Sequence, residues 1–340
     1  MYNRIEVGVY MNNGQVNITQ EELGSAKVII DSIINYYSSR IVGQTNLQRS
    51  LLIALFANGH ILLESVPGLA KTTAAKVLTE AVNGIFSRIQ CTPDLLPSDI
   101  IGTQIFNYSN SMFETKIGPI YANFVLLDEI NRSSAKTQSA TLEAMQERQL
   151  TIDGQVYKLP DIFIVIATQN PIEQEGTYLL AEAQLDRFLL KEKLTYPTVR
   201  EEVEILKRLE AKVFDTSQAI LNLDNIKYIQ NLVEKVYIDD AVKTYIAQII
   251  LATRHPENYI DKKLADYINI GSSTRGSIAF MQCSKALALM NGRSYVTPDD
   301  IKELRYSVLR HRISLNFSAI ADNVEVEQII DAIFEAVPTP

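Results

Sequence analysis

The chain has 340 residues, 46% hydrophobic and 21% charged, which suits a globular protein with enough length for two buried cores. A formal charge of −8 argues against nucleic acid as the main partner, although a local basic groove could sit within an acidic total. Two distant cysteines, Cys91 and Cys283, and three histidines (His60, His255 and His311) lack the spacing of a disulfide framework or a zinc site.

Residues 1–18 are polar and poorly periodic, with no apolar leader core. No apolar run elsewhere approaches a membrane span, so the expectation is a cytoplasmic protein with no integral membrane segment. From Thr19, EELGSAKVIIDSIINYYSSR has helical periodicity, and QTNLQRSLLIALFANG gives a second helix ending at Gly59. HILLE (60–64) reads as a strand running into the turn SVPGLAKT and a further helix. IFSRIQ (85–90), NFVLLD (123–128), DIFIVIATQ (161–169) and FLLKEKL (188–194) add four more strands, separated by helical patterns. Continuous apolar strands alternating with helices predict an α/β fold, a five-stranded parallel sheet flanked by helices. Beyond YPTVREE only helices are expected, for example 224–236, 239–252, 275–290 and 298–312. The chain therefore divides near Pro197 into an extension (1–18), an α/β domain (19–197) and a smaller all-α domain (198–340).

The turn SVPGLAKT approximates the phosphate-binding pattern G-x-x-x-x-G-K-[ST], with Ser65 and Ala70 at the two glycine positions. Such a loop works because consecutive backbone N–H groups and a helix N-terminus face the phosphates, while lysine bridges the β and γ groups. By itself the segment also fits an ordinary strand–turn–helix with a solvated lysine. NFVLLDEIN ends a strand in two carboxylates, Asp128 and Glu129, where one can hold Mg²⁺ and the next can polarise water. A plain helix cap would look similar. FIVIATQNP ends a third strand in Asn170, an amide able to orient water or simply to start a turn. Three strands ending in succession in these groups make coincidence a poor explanation.

The motifs IVGQ (41–44), VPGLAKT (66–72), LLDEINR (126–132), KTQSATLEAMQERQLTIDG (136–154), IATQNPIEQEGTYLLAEAQLDRF (166–188) and GSSTRG (271–276) resemble the MoxR family of AAA+ ATPases. The resemblance covers nearly all of residues 20–340, and the glycine usual at position 65 is its one departure in the loop. It implies that Ile41, Val42, Gly43 and Gln44 flank the adenine. Pro67, Gly68, Leu69, Ala70, Lys71, Thr72 and Thr73 would hold the phosphates of ATP, with Thr72 and Asp128 on Mg²⁺. Glu129 would activate water and Asn170 would sense the γ-phosphate. Arg187, carried by a helix TYLLAEAQL, would be the finger reaching a neighbouring chain. Arg275 would contact the γ-phosphate of its own chain, and Arg132 could also face the seam. The stretch Pro97 to Pro119 would be the family's helix insert, and Asp153-Gly154 the type I′ turn of a hairpin.

The resemblance thus implies a ring-forming ATPase, a homohexamer with a helical lid domain, that remodels or matures a protein client. A partner with a von Willebrand factor A domain is implied as a class. A magnesium-chelatase-like motor subunit and a scaffold without turnover are the alternatives. A DNA translocase fits poorly, since TIDGQVYK offers one lysine and one acid.

Overall fold

The computed structural model describes residues 18–66, 68–171, 178–210 and 219–340, so all but the last residue of the expected 1–18 extension lies outside the described residues. Helix α1 (Gln20–Arg40) opens at Thr19, whose hydroxyl accepts from the Glu22 N–H while the Glu22 carboxylate accepts from the Thr19 N–H. This reciprocal cap satisfies two amides that a helix start otherwise leaves unpaired. Next come α2 (Thr45–Phe56), β1 (Ile61–Glu64), α3 (Lys71–Ala81), β2 (Phe86–Gln90) and α4 (Pro97–Ile101). An antiparallel hairpin follows, β3 (Gly102–Asn107) with β4 (Met112–Ile117), then β5 (Phe124–Asp128) and α5 (Ala135–Glu147). A second hairpin, β6 (Gln149–Ile152) with β7 (Gln155–Lys158), precedes β8 (Ile164–Gln169), α6 (Glu182–Leu185) and β9 (Leu190–Lys193). The remainder runs α7 (Val199–Glu210), α8 (Leu223–Lys235), α9 (Asp240–Arg254), α10 (Lys262–Ala265), β10 (Ile268–Ile270) and α11 (Thr274–Met290). It closes with α12 (Pro298–Glu303), α13 (Arg305–Leu309), β11 (Ser314–Leu315), α14 (Phe317–Ala321) and α15 (Val326–Ala336).

The main sheet has the order β2-β5-β8-β1-β9, with every neighbouring pair parallel. Alternation along each strand divides the core between the faces. Ile61, Leu63, Phe124, Leu126, Ile164 and Ile166 join the cluster that includes α1–α3 and the C-terminal helices. Leu62, Val125, Leu127, Val165 and Ala167 face the other way, toward Leu142 and Met145 of α5. Continuous apolar runs were therefore the right signal for strands buried on both faces. Asp153 and Gly154 have φ of 48° and 77°, as the two central residues of a type I′ turn require.

Three expectations need correction. The C-terminal part is not purely helical, because β10 and β11 form a small antiparallel pair; three and two residues are too few to register as a period. The run 298–312 is two helices, because Arg305 donates to the Lys302 carbonyl, the acceptor a continuous helix would give to Tyr306. Among the described residues of TYLLAEAQL, which begin at Tyr178, only Glu182–Leu185 is helical. Tyr178 is bound instead to the neighbouring segment, its N–H donating to the Asn131 carbonyl and its carbonyl accepting from Gln138. The hairpin β3–β4 was not read as strands because much of it is exposed and not continuously apolar.

His60 is buried just before β1, its Nδ1 accepting from the Val165 N–H and its Nε2 facing the Met145 carbonyl at 3.1 Å. Those partners require the neutral imidazole with its proton on Nε2. Burial, with Arg148 nearby, pushes His60 down to about 3, and burial also holds His311 well below its ordinary value. The unfolded chain therefore takes up these protons first as pH falls, so both histidines contribute stability above about 6.5 that is lost below it. Denaturant unfolding between pH 6.5 and 5 should show stability falling by up to about 1.4 kcal/mol per pH unit for each histidine. A flat profile there would contradict the neutral, buried assignment.

Candidate functional site

Because the strands are parallel, β1, β5 and β8 all end at one edge, where ligands of such sheets sit. Ser65, Lys71, Asp128, Glu129 and Asn170 follow or close these strands. Pro67 lies outside the described residues. The Ser65 N–H extends the β1 ladder to the Gln169 carbonyl at 3.1 Å, and its φ is not positive. Glycine's freedom is not used at position 65. It is used at Gly68 (φ 86°) and at Ala70, whose φ of 54° places an alanine in the left-handed region. That conformation costs a non-glycine residue about 1–2 kcal/mol. Ala70 is also the N-cap of α3, with no side-chain cap and no acidic residue in the first turn. No side chain of the cap or of the first turn competes for the start of this helix, which is the geometry of a phosphate cradle. Leu69 is buried and anchors the loop.

Asp128 closes β5, buried, with Oδ1 accepting from the Thr168 hydroxyl at 2.8 Å and Oδ2 from Arg88 at 2.6 Å. Glu129 follows in the left-handed region at φ 58°, its N–H donating to the same Thr168 oxygen. That turn aims its carboxylate toward Gln90 Nε2 at 3.0 Å and Arg132 Nε at 3.1 Å. Thr168 therefore ties the Asp128 carboxylate to the Glu129 backbone, and Arg88 and Gln90 of β2 reach the two carboxylates from the adjacent strand; the motif reading passed over all three. A polar residue in an otherwise apolar strand was the available signal. Arg132 contacts its own Glu129, and the idea that it faces a seam gains nothing here. Asn170 is buried at the exit of β8. Among the described residues no group of three or more His, Cys, Asp or Glu could cage a metal alone. The donor set of Thr72 and Asp128 suits a Mg²⁺ ion that also takes substrate phosphates.

The segment Ile41–Gln44 connects α1 to α2. Ile41 is buried, Val42 is partly covered, and Gln44 donates to the Thr195 carbonyl at 2.8 Å. Gly43 has φ 66°, the left-handed region that favours glycine, and a Cβ there would displace the Glu201 carboxylate at the start of α7. The segment is thus held between the sheet domain and the helices that follow.

Arg187 and Arg275 lie elsewhere. Arg187 precedes β9, at the edge where the strands begin, and lines a cleft of about 320 Å³ with His60 and Arg275. The length of β1, about 13 Å, separates that edge from the loop. The Arg187 side chain makes no hydrogen bond or ion pair among the described residues, and its Nε is buried without a partner there. A local pair with Asp186 is ruled out by competition. Asp186 accepts from Arg312 at 2.9 Å and from the Ser273 hydroxyl at 2.6 Å, and pairs with Arg275 at 3.7 Å. The expectation that Arg275 contacts its own chain's γ-phosphate is corrected: α11 begins against Asp186, on the wrong edge of the sheet.

Comparison with known proteins agrees with this geometry. Residues 60–190 match the ATPase family associated with various cellular activities (AAA), and residues 262–333 match the AAA lid domain. The chain is 43% identical over 300 residues to Chaperone MoxR1 of Mycobacterium tuberculosis, covering 88% of this chain and 79% of that protein. It is 42% identical to the uncharacterized protein YeaC of Bacillus subtilis, covering 92% and 95% respectively. A solved candidate ATPase from Cytophaga hutchinsonii superposes with a TM-score of 0.89 at 45% identity, covering 94% of this chain and 98% of that one.

The loop geometry makes two substitutions informative. Ser65→Gly should change ATP affinity by less than about fivefold, the scale of a glycine backbone effect. Ala70→Gly should remove the left-handed strain and raise unfolding stability by up to about 1–2 kcal/mol, offset in part by glycine's unfolded-state entropy. Nucleotide titration and denaturant unfolding read the two effects. A large affinity gain from Ser65→Gly would show that the serine degrades the loop.

Proposed function

The chain belongs to the MoxR family of AAA+ ATPases, and from that premise we propose that it forms a ring, a homohexamer, whose ATP hydrolysis remodels or matures a partner protein. The observation that carries the ring is the division of chemistry between the two edges of one sheet. The cradle and carboxylates stand at one edge, and Arg187, without a partner, stands at the other. Each nucleotide would be held by one chain and completed by the next. Similarity to a protein named as a chaperone supports the protein client. A von Willebrand factor A domain in that client remains the class of partner proposed.

In this reading residues 19–197 hold the nucleotide and 198–340 form the lid. The α3 amides and Lys71 bind the β and γ phosphates, and residues 41–44 flank the adenine. Mg²⁺ bound by Thr72 and Asp128 would supply charge neutralisation at the phosphates. Glu129, aimed by its left-handed turn, polarises the attacking water, and Asn170 orients it. Arg187 of the neighbouring chain stabilises charge on the transferring phosphoryl group. Arg275, at the same edge, acts on the neighbour's nucleotide as well. The Ser65 departure that encouraged a scaffold without turnover loses its force, because the backbone there is ordinary.

Lys71→Ala should lose most ATP affinity. Glu129→Gln should bind ATP and stop hydrolysis, because an amide keeps the shape without the basicity. Wild-type turnover by Glu129→Gln would sink the assignment of the base. The shared site has its own test. Arg187→Ala should bind ATP nearly normally and lose about 10³-fold or more in turnover, the scale of an arginine finger. Mixed with Glu129→Gln under subunit exchange, it should regain activity, since each chain supplies what its neighbour lacks. No recovery in mixed rings verified by differential tags would place Arg187 outside a neighbour's site.

A further inference from the structure

The cleft containing Arg187 holds more positive charge than the finger and Arg275 account for. Four arginines, Arg148, Arg187, Arg275 and Arg312, line it, and Asp186 is the one carboxylate in its wall. Arg312 is committed to structure. It is 7% exposed, bonded to Asp186, and donates to the carbonyls of Phe188, Leu189 and Val308. Asp186 is therefore spent on Arg312, Ser273 and Arg275, which leaves Arg148 and Arg187 without a countercharge among the described residues.

Arg148 is the unexplained member. It ends α5 in the left-handed region, φ 50°, and donates one amino group, Nη2, to the Asn58 carbonyl. Its other amino group, Nη1, is buried with no partner. A partly desolvated guanidinium with an unmet donor is costly unless an anion arrives. Burial accordingly pulls its pKa below the ordinary arginine value. Its position is also fixed. His60 holds the Met145 carbonyl, one turn earlier in α5, to the start of β1, and the Asn58 contact ties the side chain to the same place. Arg148 also borders a larger cleft of about 840 Å³, but there Glu147, Asp161 and Glu234 offset Lys158, Lys227 and Lys285, and Arg148 is the one cation in excess. The larger excess of positive charge lies on the side shared with Arg187.

We propose that Arg148 is a third arginine presented, beside Arg187 and Arg275, to the polyphosphate of the nucleotide held by a neighbouring chain. This rests on the shared-site reading. The ligand chemistry, a polyphosphate, could also come from free nucleotide entering the cleft, and the test separates the two sources. Arg148→Gln keeps a donor for the Asn58 carbonyl and removes the charge. It should leave the unfolding midpoint and ATP binding by the chain's own loop unchanged, and lower turnover by about a hundredfold, the scale for losing one charge-stabilising donor.

The decisive measurement is complementation under subunit exchange, with mixed rings verified by differential tags. Arg148→Gln mixed with Glu129→Gln should recover activity, and Arg148→Gln mixed with Arg187→Ala should not, because every interface then lacks one arginine. Wild-type turnover by Arg148→Gln overturns the proposal. So does failure to recover with Glu129→Gln while the Arg187→Ala and Glu129→Gln pair does recover, which would mean that Arg148 acts within its own chain, on structure or on free nucleotide. Failure of both pairs overturns the shared-site reading, and this proposal with it. If Arg148→Gln unfolds, Arg148→Lys takes its place in the same mixtures, since it keeps a donor and a charge but not the forked pair of donors.

Discussion

Five strands running in the same direction give the sheet two chemically different edges, and the rest of the molecule is arranged around that polarity. At the edge where strands end, β1 opens into the loop, β5 delivers Asp128 and Glu129, and β8 delivers Asn170. At the edge where strands begin, Asn58 and His60 precede β1 and Arg187 precedes β9, with α5 returning Arg148 to the same side. No rotamer change carries an arginine across about 13 Å of buried strand. Within the shared-site proposal, a site that needs both edges would therefore draw on two chains, and a ring would be the closed way of satisfying that need in every subunit.

The helical part is tied to the second edge rather than left to swing freely above the first. Asp186 accepts from Arg312 of the C-terminal part and from Ser273, the cap of α11, in the same few ångströms that separate it from Arg187. Breaking such a buried pair costs about 3–5 kcal/mol, a large share of a domain's net stability. The start of α11 and the start of β9 thus behave as one rigid piece. Any lid movement transmitted through this contact would carry the arginine edge with it, which in the shared-site proposal would link nucleotide state to the neighbour's site.

Much of this was legible in the sequence, for reasons that particular residues make plain. The strands announced themselves because both faces are buried, so Leu62 and Leu63 are equally apolar although they point opposite ways. The loop, the Asp128–Glu129 pair and Asn170 were legible because each is a local feature at a strand end. Contacts made across strands were not. Arg88 meets Asp128 only because β2 pairs with β5, and Thr168 reaches the Asp128 carboxylate and the Glu129 N–H only because β8 lies on the other side. Arg275 was placed on the wrong edge because a motif states which residue sits at a helix start but not where that helix docks. Of the two missing glycines, Ser65 departs from the family pattern in sequence only, whereas Ala70 carries the left-handed backbone.

The two edges also differ in how their charge is already met. Asp128 and Glu129 are each engaged by an arginine of their own chain, Arg88 and Arg132, so the carboxylate edge has little unanswered negative charge. The opposite edge keeps Arg148 and Arg187 without acids. Two bare chains meeting edge to edge would therefore set a nearly satisfied surface against a cationic one, with little Coulomb gain to offset the freedom lost on association. In the shared-site reading a bound triphosphate would change that balance, because its charge in the α3 cradle would exceed what Lys71 and Mg²⁺ together neutralise. Within the shared-site proposal, the nucleotide is then not only the substrate but the countercharge that makes the two edges complementary. Hydrolysis and phosphate release withdraw part of that charge from the seam where it acts. Assembly and turnover would be coupled through the same arginines, without a separate sensing element.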